Sequence, residues 1–161
     1  MSLSIRRARP DEAGLVLSLV RELAEYEKLS HEVEATEQMM ADALFCEDPR
    51  LFCEIAEWNG DVAGFAVWFM NFSTFTGRSG IYLEDLFVRP ALRGKGIGKA
   101  LLSHLAQLCV TNGWARLQWA VLDWNAPSIA FYKSLGAVMV DDWTLCRLGG
   151  PALDALAQGS R

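Results

Sequence analysis

A glycine-rich turn is the feature that most restricts how this chain folds. Residues 93–99 (RGKGIGK) stand between an apolar run typical of a strand, 80–88, and a run with apolar residues at helical spacing. Glycine gives the backbone conformations and close approaches that other residues do not allow. Because the first amides of a helix have no intrahelical acceptor, we expect this turn to present N–H groups to an anion such as phosphate.

Two known phosphate-binding motifs and a purely structural turn are alternative interpretations of residues 93–99. A Walker loop needs four residues before its Gly-Lys pair and then Ser or Thr, whereas Gly94 and Gly98 enclose three residues and Ala100 follows Lys99. A Rossmann fingerprint needs glycine or alanine where Lys99 stands. A purely structural glycine turn is the remaining alternative.

The order of predicted elements indicates one mixed α/β domain, residues 1–161, with an antiparallel first half and a βαβα second half. Asn59-Gly60 predicts a hairpin between its flanking strands. Strands are predicted at 4–8, 51–58, 62–72, 80–88 and 116–121, with two short final strands around Val138 and Leu145. Helices are predicted from the apolar stripe at 13–24, from a Thr36 cap through Leu44, from 97 to 112, and from Pro127 to a stop at Gly136.

Charge and composition exclude several classes of function. The net charge is −5, and Lys and Arg form no run longer than the pair at 6–7, so we expect no nucleic-acid partner. The start lacks the pattern of a signal peptide, and the longest uncharged stretch, 62–77, is too short for a membrane span. The cysteines show no metal-ligand spacing, so we expect no metal and a cytoplasmic protein with reduced thiols.

The turn resembles the pyrophosphate loop of the GNAT superfamily of acetyl-CoA-dependent N-acetyltransferases: Arg or Gln, two residues, Gly, one residue, then Gly or Ala. The segments YLEDLFV, WNAPS, FYK and GA at 82–88, 124–128, 131–133 and 136–137 resemble the diamine acetyltransferase branch, which includes the spermidine/spermine and thialysine enzymes. So does ELAEYE at 22–27, and the resemblance extends to about Trp143. It implies the GNAT fold, a mixed, mostly antiparallel twisted sheet flanked by helices.

The resemblance also implies acetyl-CoA as co-substrate, with no metal. Backbone groups of Leu86, Phe87 and Val88 would contact the pantetheine arm, and Asn125 and Ser128 would contact the coenzyme. The coenzyme-binding residues that it implies are Leu86, Phe87, Val88, Arg93, Gly94, Lys95, Gly96, Ile97, Gly98, Lys99, Asn125, Ser128 and Tyr132.

Acetyl transfer to an amine needs two proton transfers. Deprotonating an alkylamine at pH 7 costs about 4–5 kcal/mol, and the departing thiolate must be protonated. The resemblance assigns Glu84 as a base that acts through water and Tyr132 as the acid. From the residues alone, Tyr132 could instead be a core aromatic beside Phe131. Glu84 and Asp85, which alternate along a strand, could instead pair with an arginine or lie at a solvated edge.

The same resemblance places the amine substrate at Tyr26 and Glu27, across the interface of a homodimer. Glu84 and Asp85 are the other expected substrate-binding residues. The segment 138–143 is shorter than in spermidine enzymes, which favours thialysine-like or lysine-like amino acids and short diamines ahead of polyamines and leaves a contact from Asp141 or Asp142 open. Two alternatives remain. One is a protein lysine or N-terminal acetyltransferase, and the other is a non-catalytic coenzyme A-binding sensor.

Overall fold

The computed structural model describes residues 1–159 and divides the chain into two compact units, one from Met1 to Ala120 and one from Val121 onward. The last two residues of the predicted domain, 160 and 161, lie outside the described part. The strands are β1 (Leu3–Arg7), β2 (Leu51–Trp58), β3 (Asp61–Ser73), β4 (Arg78–Val88) and β5 (Leu117–Gln118). The helices are α1 (Ala13–Tyr26), α2 (Glu37–Leu44), α3 (Ile97–Asn112), α4 (Ala126–Ser134) and α5 (Gly150–Ala157).

The first unit contains a five-stranded sheet in the order β1-β2-β3-β4-β5. Strands β1 to β4 are antiparallel to their neighbours, and β5 is parallel to β4. Asn59 and Gly60 have φ values of 52° and 89°, the left-handed pair that a tight hairpin requires. The crossover helix α3 joins the two parallel strands. The predicted α/β class and mostly antiparallel sheet are confirmed.

Helices α1 and α3 cover opposite faces of this sheet. Ile55 is fully buried in a cluster that includes Val16 and Leu19 of α1. The carboxylate of Glu54, one residue earlier, lies 3.6 Å from Nε2 of His104 on α3. Because side chains alternate along a strand, these neighbours point to different faces.

The predicted helix signals are present at α2 and α3. Thr36 Oγ1 accepts a hydrogen bond of 3.2 Å from the amide of Met39 and so caps α2. Gly96 and Gly113, on either side of α3, have φ values of 80° and 69°. These left-handed conformations favour glycine and define both ends of the helix.

In the C-terminal part of the chain, the observed strands differ from those predicted from the sequence. The strand predicted at 116–121 is reduced to Leu117–Gln118, and the strands predicted around Val138 and Leu145 are wrong, since residues 137–149 contain no strand. Val138 and Leu145 are 81% and 78% exposed. An apolar alternation becomes a strand only when a neighbouring strand completes its hydrogen bonds, which those residues do not obtain. Helix α5, with a proline in its first turn, was not predicted.

No helix within residues 1–159 combines the length and apolar character needed to cross a membrane.

Candidate functional site

Strand β4 offers one open edge next to the glycine turn. It pairs with β3 as far as Val88, but its pairing with β5 ends at Tyr82 and Gln118. In the described ladders, residues 83–88 therefore have a strand partner on one side only. Backbone N–H and C=O groups on such an edge can bind an extended ligand as an added strand would. This segment contains the predicted pantetheine contacts Leu86, Phe87 and Val88.

A β-bulge interrupts β4 at the predicted catalytic carboxylate. Trp68 is opposite Leu83 and Val67 is opposite Asp85, so Glu84 is the extra residue. Glu84 is exposed, whereas Asp85 is half-buried. The sequence pattern did not reveal this register shift, which alters the simple alternation of the Glu84 and Asp85 side chains between the two faces of the sheet.

Three carboxyl groups come together between the bulge and the end of α1. Burial, together with the negative charges of Glu84 and Glu27, raises the pKa of Asp85 to about 7. Burial also raises the pKa of Glu27, the residue that caps α1. A carboxyl group with a pKa near 7 exchanges its proton at neutral pH, as a general acid or base must.

The glycine turn presents its backbone without obstruction. Gly94 and Gly96 have φ values of 77° and 80°, and no described heavy atom lies within 4 Å of the position where either would carry a Cβ. Ile97 is 2% exposed and fixes the start of α3 in the core. The first intrahelical bond at this end is donated by Ala100 to the carbonyl of Gly96, so the amides of residues 97–99 precede the helical ladder. This arrangement suits phosphate oxygens.

The basic side chains of the turn contact aromatic rings. Nε of Arg93 donates a hydrogen bond of 2.9 Å to the carbonyl of Val88. The Arg93 guanidinium carbon lies 4.6 Å from the ring centroid of Tyr26 and 5.5 Å from that of Phe87. Nζ of Lys95 lies 5.4 Å from the ring of Trp58. Lys99 is an exposed residue in the first turn of α3.

Arg89 is a residue of this region that the sequence analysis did not single out. Its guanidinium donates to the Glu22 carboxylate of α1, at distances from 3.1 to 3.3 Å, and to the carbonyl of Val62 at 2.9 Å. These bonds fix α1 to the strand ends beside the turn. The available signal was an arginine between the end of the predicted strand at Val88 and Pro90.

The second unit contains the other predicted site residues, Asn125, Ser128 and Tyr132. Asn125 Oδ1 accepts a hydrogen bond of 3.4 Å from the amide of Ser128 and caps α4, which confirms the predicted helix start. Tyr132 is buried, with its ring centroid 5.5 Å from that of Phe131. All the remaining predicted site residues lie in the first unit.

No group of three His, Cys, Asp or Glu side chains in residues 1–159 is arranged so that it could hold a metal ion.

Comparison with known proteins identifies the class of this one. Residues 18–137 match the acetyltransferase (GNAT) family. A Vibrio cholerae integron cassette protein superposes with a TM-score of 0.81 and 31% identity, covering 98% of this chain and 99% of the other. An aminoglycoside acetyltransferase from a soil metagenomic sample, solved with trehalose, has a TM-score of 0.74 at 15% identity, covering 92% and 95%, and so shows the fold alone.

The chain therefore belongs to the GNAT family and is an N-acetyltransferase, as predicted, with the predicted GNAT fold. Thialysine N-epsilon-acetyltransferase of Sus scrofa is 36% identical over 97% of this chain and 98% of its own length. L-ornithine N5-acetyltransferase of Arabidopsis thaliana is 32% identical over 94% and 86%. Within the family, the chain belongs to the diamine and thialysine acetyltransferase branch.

Proposed function

We propose that this enzyme transfers the acetyl group of acetyl-CoA to a primary amine of a small molecule. The carboxyl cluster of Glu27, Glu84 and Asp85, next to the open edge of β4, is the observation that carries this proposal. A cationic amine is attracted by such a cluster and must lose a proton there before it can attack. The names of the thialysine and ornithine relatives support thialysine-like or lysine-like amino acids as acceptors. Short diamines are proposed as further acceptors, ahead of polyamines.

Acetyl-CoA fits the residues of the turn and the strand edge. The amides of residues 94–99 would bind its pyrophosphate, and backbone groups of Leu86 to Val88 would bind its pantetheine arm. Asn125 and Ser128 are proposed as further coenzyme contacts, as the family resemblance implies. When bound, the coenzyme supplies an acyl thioester that an amine nitrogen can attack directly, in a ternary complex.

The carboxyl pair on the bulge is proposed to accept the amine proton. Glu84 acts through a water molecule, as the family resemblance implies. The structure adds Asp85 as a second candidate, because a group with a pKa of about 7 is charged for part of the time and still basic enough to take a proton at neutral pH. Tyr26 and Glu27, at the end of α1, are proposed to contact the rest of the amine.

Tyr132 is proposed to protonate the coenzyme thiolate. A positioned proton donor is worth about 10²–10⁴ in rate. We expect Tyr132→Phe to lower kcat by about 10²-fold and to change acetyl-CoA affinity by less than about threefold, because the substitution removes only the hydroxyl group. Stopped-flow turnover and equilibrium titration would measure the two effects separately. Unchanged turnover would remove Tyr132 from the mechanism.

The proposed activity is tested by incubating the protein with acetyl-CoA and a panel of acceptors, followed by mass spectrometry. The panel contains thialysine, lysine, putrescine, spermidine and a lysine peptide. Acetylation of a free amine is the expected result. Acetylation of the peptide alone would indicate a protein acetyltransferase, and coenzyme binding without any product would indicate a non-catalytic sensor.

We further propose that the two units form one GNAT domain and that the enzyme works as a cytoplasmic homodimer. The family match at 18–137 extends across the division between the units. Light scattering on the purified protein would give its mass in solution. A mass of one chain, 17.9 kDa, at catalytic concentrations would contradict the dimer.

A further inference from the structure

The segment that leads from β4 into the glycine turn is joined to α1 by two arginines. Arg89 bonds to Glu22 in the body of the helix, as described above. Arg93 contacts the end of the helix, where its guanidinium lies over the ring of Tyr26 at 4.6 Å. The same group lies 5.5 Å from Phe87, and its Nε is bonded to the carbonyl of Val88.

These contacts place the side chain of Arg93 toward the amine side of the site. Its backbone begins the turn that would hold the pyrophosphate, while its guanidinium packs on Tyr26, the residue before Glu27. A guanidinium is planar, so it can lie flat on an aromatic ring while it donates hydrogen bonds in a fixed direction, a combination that a lysine ammonium group does not reproduce. Arg93 therefore connects the turn physically to the end of α1.

We propose that Arg93 is a positioning residue that couples coenzyme binding at the glycine turn to amine binding at the end of α1. This inference rests on the proposed function. A phosphate group that fixes the turn also fixes the backbone of Arg93, and the guanidinium then holds Tyr26 and Glu27 in the conformation that receives the amine. Because coupling between two ligands is reciprocal, a bound amine tightens the coenzyme to the same degree.

A different role for Arg93 makes a different prediction. If its side chain only adds positive charge for the phosphates, lysine should replace it with little loss. If it positions α1, lysine should keep the coenzyme affinity and lose the coupling. Arg93→Lys therefore separates the two roles, and Arg78→Lys, at the exposed start of β4, is the matched control.

The first measurement is hydrogen exchange of peptides that span residues 22–29, with and without coenzyme A. In the wild type and in Arg78→Lys, we expect coenzyme A to slow exchange in this region. In Arg93→Lys, we expect coenzyme A to bind within about threefold of the wild-type affinity and to give no such protection. The thermal unfolding midpoint of each variant shows that the fold is retained.

The second measurement is steady-state kinetics with an accepted amine at saturating acetyl-CoA. We expect Arg93→Lys to raise the amine KM about fivefold, at the lower end of typical coupling, with a smaller change in kcat. Unchanged amine KM, or coenzyme-dependent protection retained in the variant, would overturn the inference while leaving the proposed function intact. A wild-type protein that does not bind coenzyme A would overturn the proposed function itself.

Discussion

Asp85 is the residue whose chemistry departs furthest from that of a free side chain in the candidate site. Its raised pKa has three causes, which are burial first, then the charges of Glu84 and Glu27. The two charges belong to residues that the family resemblance assigns to the amine. The same groups that attract a cation thus also keep a proton on Asp85 near neutral pH.

The pH dependence of kcat/KM distinguishes the two candidate proton acceptors. If Asp85 is the acceptor, the wild type has an acidic limb near pH 7, and Asp85→Asn removes it. Glu84→Gln should move that limb to lower pH, because removing the Glu84 charge lowers the pKa of Asp85. Comparing variants on one amine cancels the ionisation of the substrate.

The two variants should behave differently if Glu84, and not Asp85, accepts the proton. If Glu84 is the acceptor, Glu84→Gln lowers kcat/KM by about 10²-fold across the pH range, and Asp85→Asn retains an acidic limb. That outcome would limit Asp85 to substrate binding, the role predicted from the sequence.

The raised pKa of Asp85 should also affect the free energy of unfolding, which is measured without any substrate. The folded state holds the Asp85 proton up to about pH 7 and the unfolded chain only to about 3.8. Stability is therefore lost as pH rises through this window. Asp85→Asn should be more stable than the wild type above pH 7, and the difference should vanish near pH 4.

The shift in the pKa of Asp85 sets an upper limit on this difference in the free energy of unfolding. At 1.36 kcal/mol per pKa unit the full shift corresponds to about 4 kcal/mol, and we expect about 1–3 kcal/mol because Asp85 is half-buried and solvent screens its charge. Urea unfolding at a series of pH values measures it. Asp61→Asn, at the exposed start of β3, is the control, and a surface substitution of this kind should change the free energy of unfolding by less than about 0.5 kcal/mol.

At the scale of elements, the two ends of α3 provide a matched comparison. Gly96 and Gly113 both have left-handed φ values and open space where a Cβ would lie. Alanine at either position should cost about 1–2 kcal/mol of stability, since a left-handed conformation is unfavourable for any residue with a Cβ. Urea unfolding should give similar losses for the two variants.

Of these two variants, only Gly96→Ala should lower the affinity for coenzyme A. Gly96→Ala changes the turn whose amides are proposed to hold the pyrophosphate, so we expect its affinity for coenzyme A to fall about tenfold or more. Gly113→Ala, at the far end of the helix, should bind coenzyme A normally. Equal affinities in calorimetric titrations would show that the turn is structural only.

At the scale of the whole first unit, a buried carboxylate on β2 joins the two neighbouring strands, β1 and β3, to α3. Glu54 is 2% exposed, and its Oε1 accepts hydrogen bonds from Nε of Arg7 on β1 at 2.9 Å and from Nε1 of Trp68 on β3 at 3.2 Å. His104 of α3 approaches its other oxygen. This cluster lies on the face opposite to α1 and supports the sheet that positions the site.

Removing this carboxylate should destabilise the unit without altering the site directly. We expect Glu54→Ala to cost about 2–3 kcal/mol, because the buried indole N–H of Trp68 and the guanidinium of Arg7 lose their acceptor. Glu57→Ala on the same strand should cost less, about 1 kcal/mol, since its partner Arg6 keeps the Glu12 carboxylate at 2.8 Å. Chemical unfolding with equal losses in both variants would contradict the special role of Glu54.

The sequence alone determined the class of protein and most of the element order. Local signals were sufficient there: Asn59-Gly60 for the hairpin, Thr36 and Gly113 for helix ends, and the glycine turn with its flanking residues for the family. Each of these depends on the conformational preferences of a few adjacent residues. The strands around Val138 and Leu145 were mispredicted because a strand depends on a distant partner that adjacent residues do not specify.

Only the tertiary structure decided how the site residues of the first unit are presented. The bulge at Glu84 arises from the register between β3 and β4, and the raised pKa of Asp85 arises from burial and from charges that the fold brings together. The stacking of Arg93 on Tyr26 joins residues far apart in the chain. Register, burial and long-range contact are properties of the packed molecule, whereas the sequence specifies directly only what neighbouring residues prefer.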